Sequence, residues 1–232
     1  MAGFSIDIWS DVACPWCYIG KRRLEAALPQ VPGLGEVEIT WHAFELDPSA
    51  PRENNSGTSY AERLAKKYGQ TTDQAERMIA RVVEVARAEG LDFRFDRIRP
   101  GNTFDAHRLL AHARLAGRQD AVAERLFHAY FTEGKCIARA GELQSVAVAA
   151  GLDADVVSNL LSSDLLTEEV RQDQSEAAAL GVHAVPFFVF DQRLAVSGAQ
   201  GTTVFVQALE RALRERAPSE FEEGAVCGPA GC

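Results

Sequence analysis

The sequence predicts an α/β protein in which a βαβ unit opens the chain, a ββα unit closes it, and a long all-helical segment separates the two. Three observations predict this. Phe4, Ile6 and Ile8 alternate with Ser5, Asp7 and Trp9, the period of a half-buried strand. From about residue 56 to residue 180 the apolar spacing becomes that of helices. After Gly181, two short apolar runs at 187–190 and 194–196 flank Asp191-Gln192-Arg193, as in a hairpin.

The first strand runs into Ser10-Asp11-Val12-Ala13, and a helix begins at Cys14-Pro15-Trp16-Cys17. Pro15 suits the first helical position, where a backbone N–H has no partner to lose. Cys17, Gly20, Leu24, Ala27 and Leu28 fall on one stripe of this helix and should face the core. Pro29 and the Pro32-Gly33-Leu34-Gly35 turn end it, and residues 37–44 alternate again as a second strand. In the helical segment, Thr71 with Gln74 three residues on forms a capping box ahead of Met78, Val82 and Val85. Asn102 and Thr103 are cap candidates before Ala106, Leu109, Leu110 and Ala113. Residues 126–131, 143–150, 156–161 and 165–180 continue as helices, punctuated by Gly90, Gly117, Gly151 and Gly181. A last helix turns Phe205, Leu209, Ala212 and Leu213 inward. The expected divisions are therefore 1–55, 56–180 and 181–217, followed by a tail, 218–232, that is acidic and then Gly-rich.

Composition limits the function classes. A chain of 232 residues with 47% hydrophobic and 25% charged residues is an ordinary globular protein. Its formal net charge of -9 argues against a nucleic-acid partner, which calls for a basic face. The scattered basic groups, Lys21-Arg22-Arg23 and Lys66-Lys67, read as solvated helix faces. No uninterrupted apolar stretch reaches membrane-spanning length, and residues 4–9 lack the pattern of a signal peptide. The expected location is the cytoplasm, with no membrane partner. Thiols there are kept reduced, so a close cysteine pair points to catalysis or metal binding rather than to a structural bond.

Cys14 and Cys17 carry that chemistry. Three residues apart along a helix, the two sulfurs are neighbours within bonding reach. The first lies at the positive end of the helix dipole, which favours a thiolate. Cys14 is therefore the expected exposed, attacking sulfur, and Cys17, on the buried stripe, the resolving one. Trp16 between them offers a flat apolar contact to a client peptide. The other reading, half of a zinc site, needs two further ligands, and no histidine lies at zinc-finger distance from the pair. His107 and His112 are five apart, a poor spacing for ligands on a helix, while His42, His128 and His183 are isolated. No metal is expected. Asp11 either tunes Cys14 or ends the strand, and Cys136 reads as a free buried thiol.

With these residues placed, the chain resembles the DsbA family, and within it the cytoplasmic FrnE-type proteins. The resemblance rests on Cys14-Pro15-Trp16-Cys17 after a strand and on Gly181-Val182-His183-Ala184-Val185-Pro186 before another. It extends through Trp41-His42-Ala43-Phe44-Glu45-Leu46-Asp47-Pro48, Asn102-Thr103-Phe104-Asp105-Ala106-His107-Arg108 and Ser197-Gly198-Ala199-Gln200, and so over essentially the whole chain. It implies a thioredoxin fold (βαβ + ββα) interrupted by a long all-helical insertion. It implies a cis Val185-Pro186 bond lying against the active-site sulfurs, and places the segment of Asn102 facing them. The implied activity is reduction, oxidation or isomerisation of protein or peptide disulfides through a mixed disulfide, with no cofactor, and with glutathione a further candidate partner. Some FrnE-type proteins carry a second Cys-x4-Cys near the C-terminus. Cys227 and Cys232 match it as an auxiliary redox pair, their glycines and proline permitting a tight reversal. The same fold also serves relatives resembling 2-hydroxychromene-2-carboxylate isomerase and kappa-class glutathione transferase. Those place Ser at the position of Cys14 and lack the second cysteine. A peptide-binding chaperone without turnover is a third class.

Overall fold

The computed structural model describes residues 3–52 and 57–216. Strand β1 (Phe4–Ser10) leads into helix α1 (Pro15–Ala27) and then strand β2 (Val37–Ala43). Seven helices follow: α2 (Tyr60–Tyr68), α3 (Thr72–Ala88), α4 (Phe104–Leu115), α5 (Gln119–His128), α6 (Ala140–Ala149), α7 (Ala154–Leu161) and α8 (Thr167–Ala179). The chain returns to the sheet with β3 (Phe187–Phe190) and β4 (Leu194–Ser197) and ends in α9 (Thr202–Arg216). The sheet order is β2-β1-β3-β4, with β1 parallel to β2 and antiparallel to β3. Among the described residues, no helix is long and apolar enough to cross a membrane.

The two-residue period of β1 sorts its side chains between two layers. Ile6 and Ile8 pair with Phe190 and Phe188 on the face packed by α9, whose Phe205 meets Phe188 edge-on at 4.8 Å. Asp7 and Trp9 point to the opposite face, where Trp9 packs with Ala177 and Val182 at the end of α8. The edge of β2 is covered by a side chain. Gln119 accepts from the Trp41 N–H (3.0 Å) and donates to the Trp41 carbonyl (2.7 Å), filling both strand positions.

Several local expectations hold. The Thr71–Gln74 capping box is present, and Asp191 and Gln192 both take positive φ, as a type I′ turn requires. Helix α2 was not expected as a separate element, although Ser59 and Glu62 form a capping box that marks its start. The run after Leu126 ends differently from expectation: α5 stops at His128 and a π-helical turn spans Ala129–Glu133.

The reading of Lys21-Arg22-Arg23 as a solvated face is corrected. Lys21 is only 3% exposed and sits among Glu25, Asp120 and Glu124. Arg22 pairs with Glu25 and Glu124, and Arg23 with Glu89 at 2.6 Å. The acids on α5 and after α3 come from distant sequence, so the segment alone does not reveal the burial. Tyr18 on the same helix stacks on Phe127 of α5 at 5.0 Å and donates to Glu124 (2.6 Å). Helix α1 is thereby locked to the helical segment by its residues directly after the cysteine motif.

Candidate active site

Cys14 is the N-cap of α1, with extended backbone and Pro15 at the first helical position. No acidic side chain stands in the first turn of the helix. The turn is closed by the Cys14 N–H on the Asp11 carbonyl (2.9 Å) and the Cys17 N–H on the Cys14 carbonyl (3.1 Å). Both thiols are free.

The expected exposure of Cys14 is not found. The residue is 4% exposed, because the Ala184–Pro186 loop folds over it and the Cys14 thiol donates to the Val185 carbonyl at 3.6 Å. The sulfur is nonetheless on a cavity wall, as described below. Cys17 is fully buried. Burial, and then the neighbouring Cys14 thiol, push the Cys17 thiol well above its ordinary value.

The Val185-Pro186 peptide bond is cis, as the resemblance implies. Pro186 also reaches α1. A Cβ added at Gly20 would lie 3.1 Å from Pro186 Cγ and 3.1 Å from Phe188 Cζ. This close approach accounts for a glycine inside a helix, where it costs about 1 kcal/mol relative to alanine.

A cavity of about 1000 Å³ opens in front of Cys14. The sheet side contributes Asp11, Trp16 and Val185, and the helical segment contributes Tyr60, Arg63 and Tyr130. Trp16 is 37% exposed at the opening. Asn102 lies beside the cavity rather than on its wall, although Gly101 and Thr103 line it. Its Oδ1 accepts from the Phe104 N–H (2.8 Å) and its amide donates to Glu45 (3.3 Å), so the side chain begins α4 and ties it to the segment after β2. Cys227 and Cys232 lie outside the described residues. Cys136 is free and buried, as expected.

Tyr60 and the approach of His107 to Asp11 escaped the sequence reading. Tyr60, on α2, stands close enough to Cys14 to feel its charge, and burial together with that charge pushes its phenol up to about 12. It is a protonated donor throughout the neutral range. Beneath the motif, Asp11 is 1% exposed and accepts from the Ala13 and Leu46 N–H groups at 3.1 and 2.7 Å. It thus holds the loop before Cys14 and the segment after β2 together. His107 of α4 faces it at 3.6 Å with neither ring nitrogen hydrogen-bonded. The Ser59-to-Glu62 capping signal could have found α2, but no local pattern announces the Asp11–His107 approach.

Among the described residues, His42, Asp173 and Glu176 are spaced to hold an ion. His42 is already committed: Nδ1 faces Asp173 at 2.8 Å and Nε2 faces Asp7 at 2.9 Å. An imidazole bonded to carboxylates through both nitrogens is the cation and has no lone pair for a metal. Burial alone would depress His42, but the bonds and charges of Asp173 and Asp7 outweigh it and raise the ring to about 9. The cluster joins α8 to the sheet.

A four-stranded sheet with a Cys-x-x-Cys at the tip of its first helix and a cis proline beside the first sulfur defines a thioredoxin-like fold, here with helices α2–α8 inserted. The chain belongs to the DSBA-like thioredoxin domain family, whose model matches residues 5–210. A "probable DsbA oxidoreductase" from Streptomyces coelicolor is 40% identical, with a TM-score of 0.87 over 99% of this chain and 98% of that one. The cytosolic disulfide reductase DsbM from Pseudomonas aeruginosa, solved with GSH, shares the fold at 18% identity and a TM-score of 0.62, over 90% of this chain and 99% of that one. The uncharacterized protein YwbO of Bacillus subtilis is 26% identical over 206 residues, which are 88% of this chain and 94% of YwbO.

Proposed function

We propose that the protein is a cytoplasmic thiol–disulfide oxidoreductase acting on protein or peptide disulfides, with glutathione a further partner. One observation carries the reading: the Cys14 sulfur lies at the tip of α1 on the wall of a cavity of about 1000 Å³, with the Cys17 thiol sealed behind it. Cys14 as thiolate attacks a client disulfide, and Cys17 attacks the resulting mixed disulfide to release the product. Pro186 and Val185 form the wall against which the client backbone lies, and Trp16 contributes its lip. The division at 56 and 181 makes the helical segment the far side of this groove. Cys227 and Cys232 are assigned as an auxiliary pair that exchanges with Cys14–Cys17. The cytosolic, GSH-bound DsbM neighbour supports the location and the glutathione partner.

The fold also serves 2-hydroxychromene-2-carboxylate isomerase, a neighbour at 17% identity and a TM-score of 0.61. The intact cysteine pair favours redox chemistry over glutathione-dependent isomerisation. Insulin reduction by wild type and by Cys14→Ser separates the readings. An oxidoreductase loses its activity with the sulfur, whereas a chaperone without turnover shows none in either form.

Burial of Cys17 sets the pH dependence of the second step. Its raised value leaves the resolving group mostly as thiol at neutral pH, so its thiolate fraction should climb about tenfold per pH unit. Stopped-flow measurement from pH 6 to 9 should therefore show product release accelerating by that slope. A rate flat across this range would mean that burial does not hold the Cys17 thiol up in the mixed disulfide.

A further inference from the structure

Arg63 of α2 lines the same cavity as Cys14, and it is unusual in having no acidic partner among the described residues. The other shielded arginines are paired: Arg22 with Glu25 and Glu124, Arg23 with Glu89, Arg108 with Asp105 and the Leu160 carbonyl. Arg63 forms no ion pair among the described residues, and its buried Nε has no hydrogen-bond partner. Its guanidinium lies 5.7 Å from the centre of the Tyr60 ring, and Tyr60 lines the same cavity as Cys14. A donor held out of water without an acceptor is a cost the fold ordinarily avoids.

The surrounding charges leave this position open to an anion. Lys66 and Lys67, also on α2, line the cavity and pair with no carboxylate among the described residues. The two acids on the wall are already occupied. Asp11 accepts from Ala13 and Leu46, and Asp47 from the backbone and hydroxyl of Ser49. In a chain of net charge -9, three cations against two carboxylates leave the lining of this cavity locally positive.

We propose that Arg63 is a specificity residue of the groove, receiving a carboxylate of the disulfide substrate while Cys14 engages its sulfur. The proposal rests on the oxidoreductase reading and narrows it to disulfides that carry a carboxylate a few bonds from the reacting sulfur. The planar guanidinium suits this task better than an ammonium, because it can grip both carboxylate oxygens. In the first step the Cys14 thiolate attacks one sulfur of R–S–S–R, the S–S bond breaks, and one R–S⁻ leaves. The Cys17 thiolate then attacks the Cys14 sulfur and expels the second R–S⁻. Two electrons pass from the Cys14–Cys17 dithiol to the substrate, and the protein is left with the Cys14–Cys17 disulfide.

The test is single-turnover oxidation of the reduced, full-length protein by three probes: glutathione disulfide with its carboxylates, neutral 2-hydroxyethyl disulfide, and cationic cystamine. The readout is the ratio of rates among probes, which cancels any general loss from misfolding. In Arg63→Gln the ratio of glutathione disulfide to hydroxyethyl disulfide should fall about tenfold or more, the scale of one charge-assisted hydrogen bond. The ratio to cystamine should fall further, and Arg63→Lys should restore part of each. Ratios equal in wild type and Arg63→Gln would overturn the assignment while leaving the oxidoreductase reading intact. A wild type inert towards all three probes would overturn that reading, and this assignment with it.

Discussion

Cys14→Ser is expected to lower insulin-disulfide reduction by about a thousandfold or more, to the uncatalysed background. The size follows from the role. Only a thiolate attacks a disulfide at a useful rate, and a serine hydroxyl at the same place has neither the acidity nor the leaving-group chemistry to replace it. The fold should hardly notice. The turn at Cys14 is built from backbone bonds, Cys14 N–H to Asp11 and Cys17 N–H to Cys14, and a serine keeps both. The thiol contributes its contacts with the Val185 carbonyl and with Cys17, and a serine hydroxyl of similar size can take its place, so stability should change by about 1 kcal/mol. Cys136→Ala is the control, since that thiol is buried and is not part of the cavity wall. Loss of activity in Cys136→Ala with retention in Cys14→Ser would invert the assignment.

The second large effect concerns stability and pH. His42 is raised from 6.5 to about 9 in the folded protein by Asp173 and Asp7, against the opposing pull of burial. A group whose folded value is raised binds its proton more tightly in the native state. Its contribution is therefore complete below about pH 6.5 and drains away as pH climbs through about 9. At 1.36 kcal/mol per unit, the proton linkage amounts to about 3 kcal/mol. Urea unfolding of wild type and His42→Gln at pH 6 and pH 10 isolates it, because other titrations are common to both proteins. The wild-type advantage should be largest at pH 6 and shrink by that amount at pH 10. An advantage constant over the range would mean that His42 packs as a neutral ring. The Trp9 ring, stacked on His42 at 4.5 Å with its indole N–H on the Asp173 carbonyl, offers a local fluorescence probe.

Strand alternation, the cap at Thr71 and the Cys-x-x-Cys at a strand-to-helix junction are local patterns, and each appears in the structure where the sequence places it. What depends on distant residues was not legible. Lys21 reads as solvent-facing until Asp120 and Glu124 arrive from α5. His42 reads as isolated until α8 brings Asp173 to it. Cys14 reads as exposed because no pattern in residues 10–20 foretells that Val185 will cover it. The site was half legible for the same reason. Its sulfurs and proline lie in recognisable motifs, whereas the opposite wall, Tyr60 and Arg63, comes from a helix whose only advertisement is a capping box.

The most direct test of the division between Cys14 and Cys17 is the fate of a mixed disulfide when the resolving thiol is removed. Cys17→Ala, combined with Cys227→Ser and Cys232→Ser so that the tail pair cannot resolve the adduct, then reduced and exposed to glutathione disulfide, should hold one glutathione per chain on Cys14, read by intact mass and peptide mapping. The same treatment should convert wild type to the Cys14–Cys17 disulfide with no stable adduct at that pair. An adduct on Cys14 that persists equally in wild type and Cys17→Ala would contradict the account, as would a Cys17→Ala protein that leaves Cys14 unmodified.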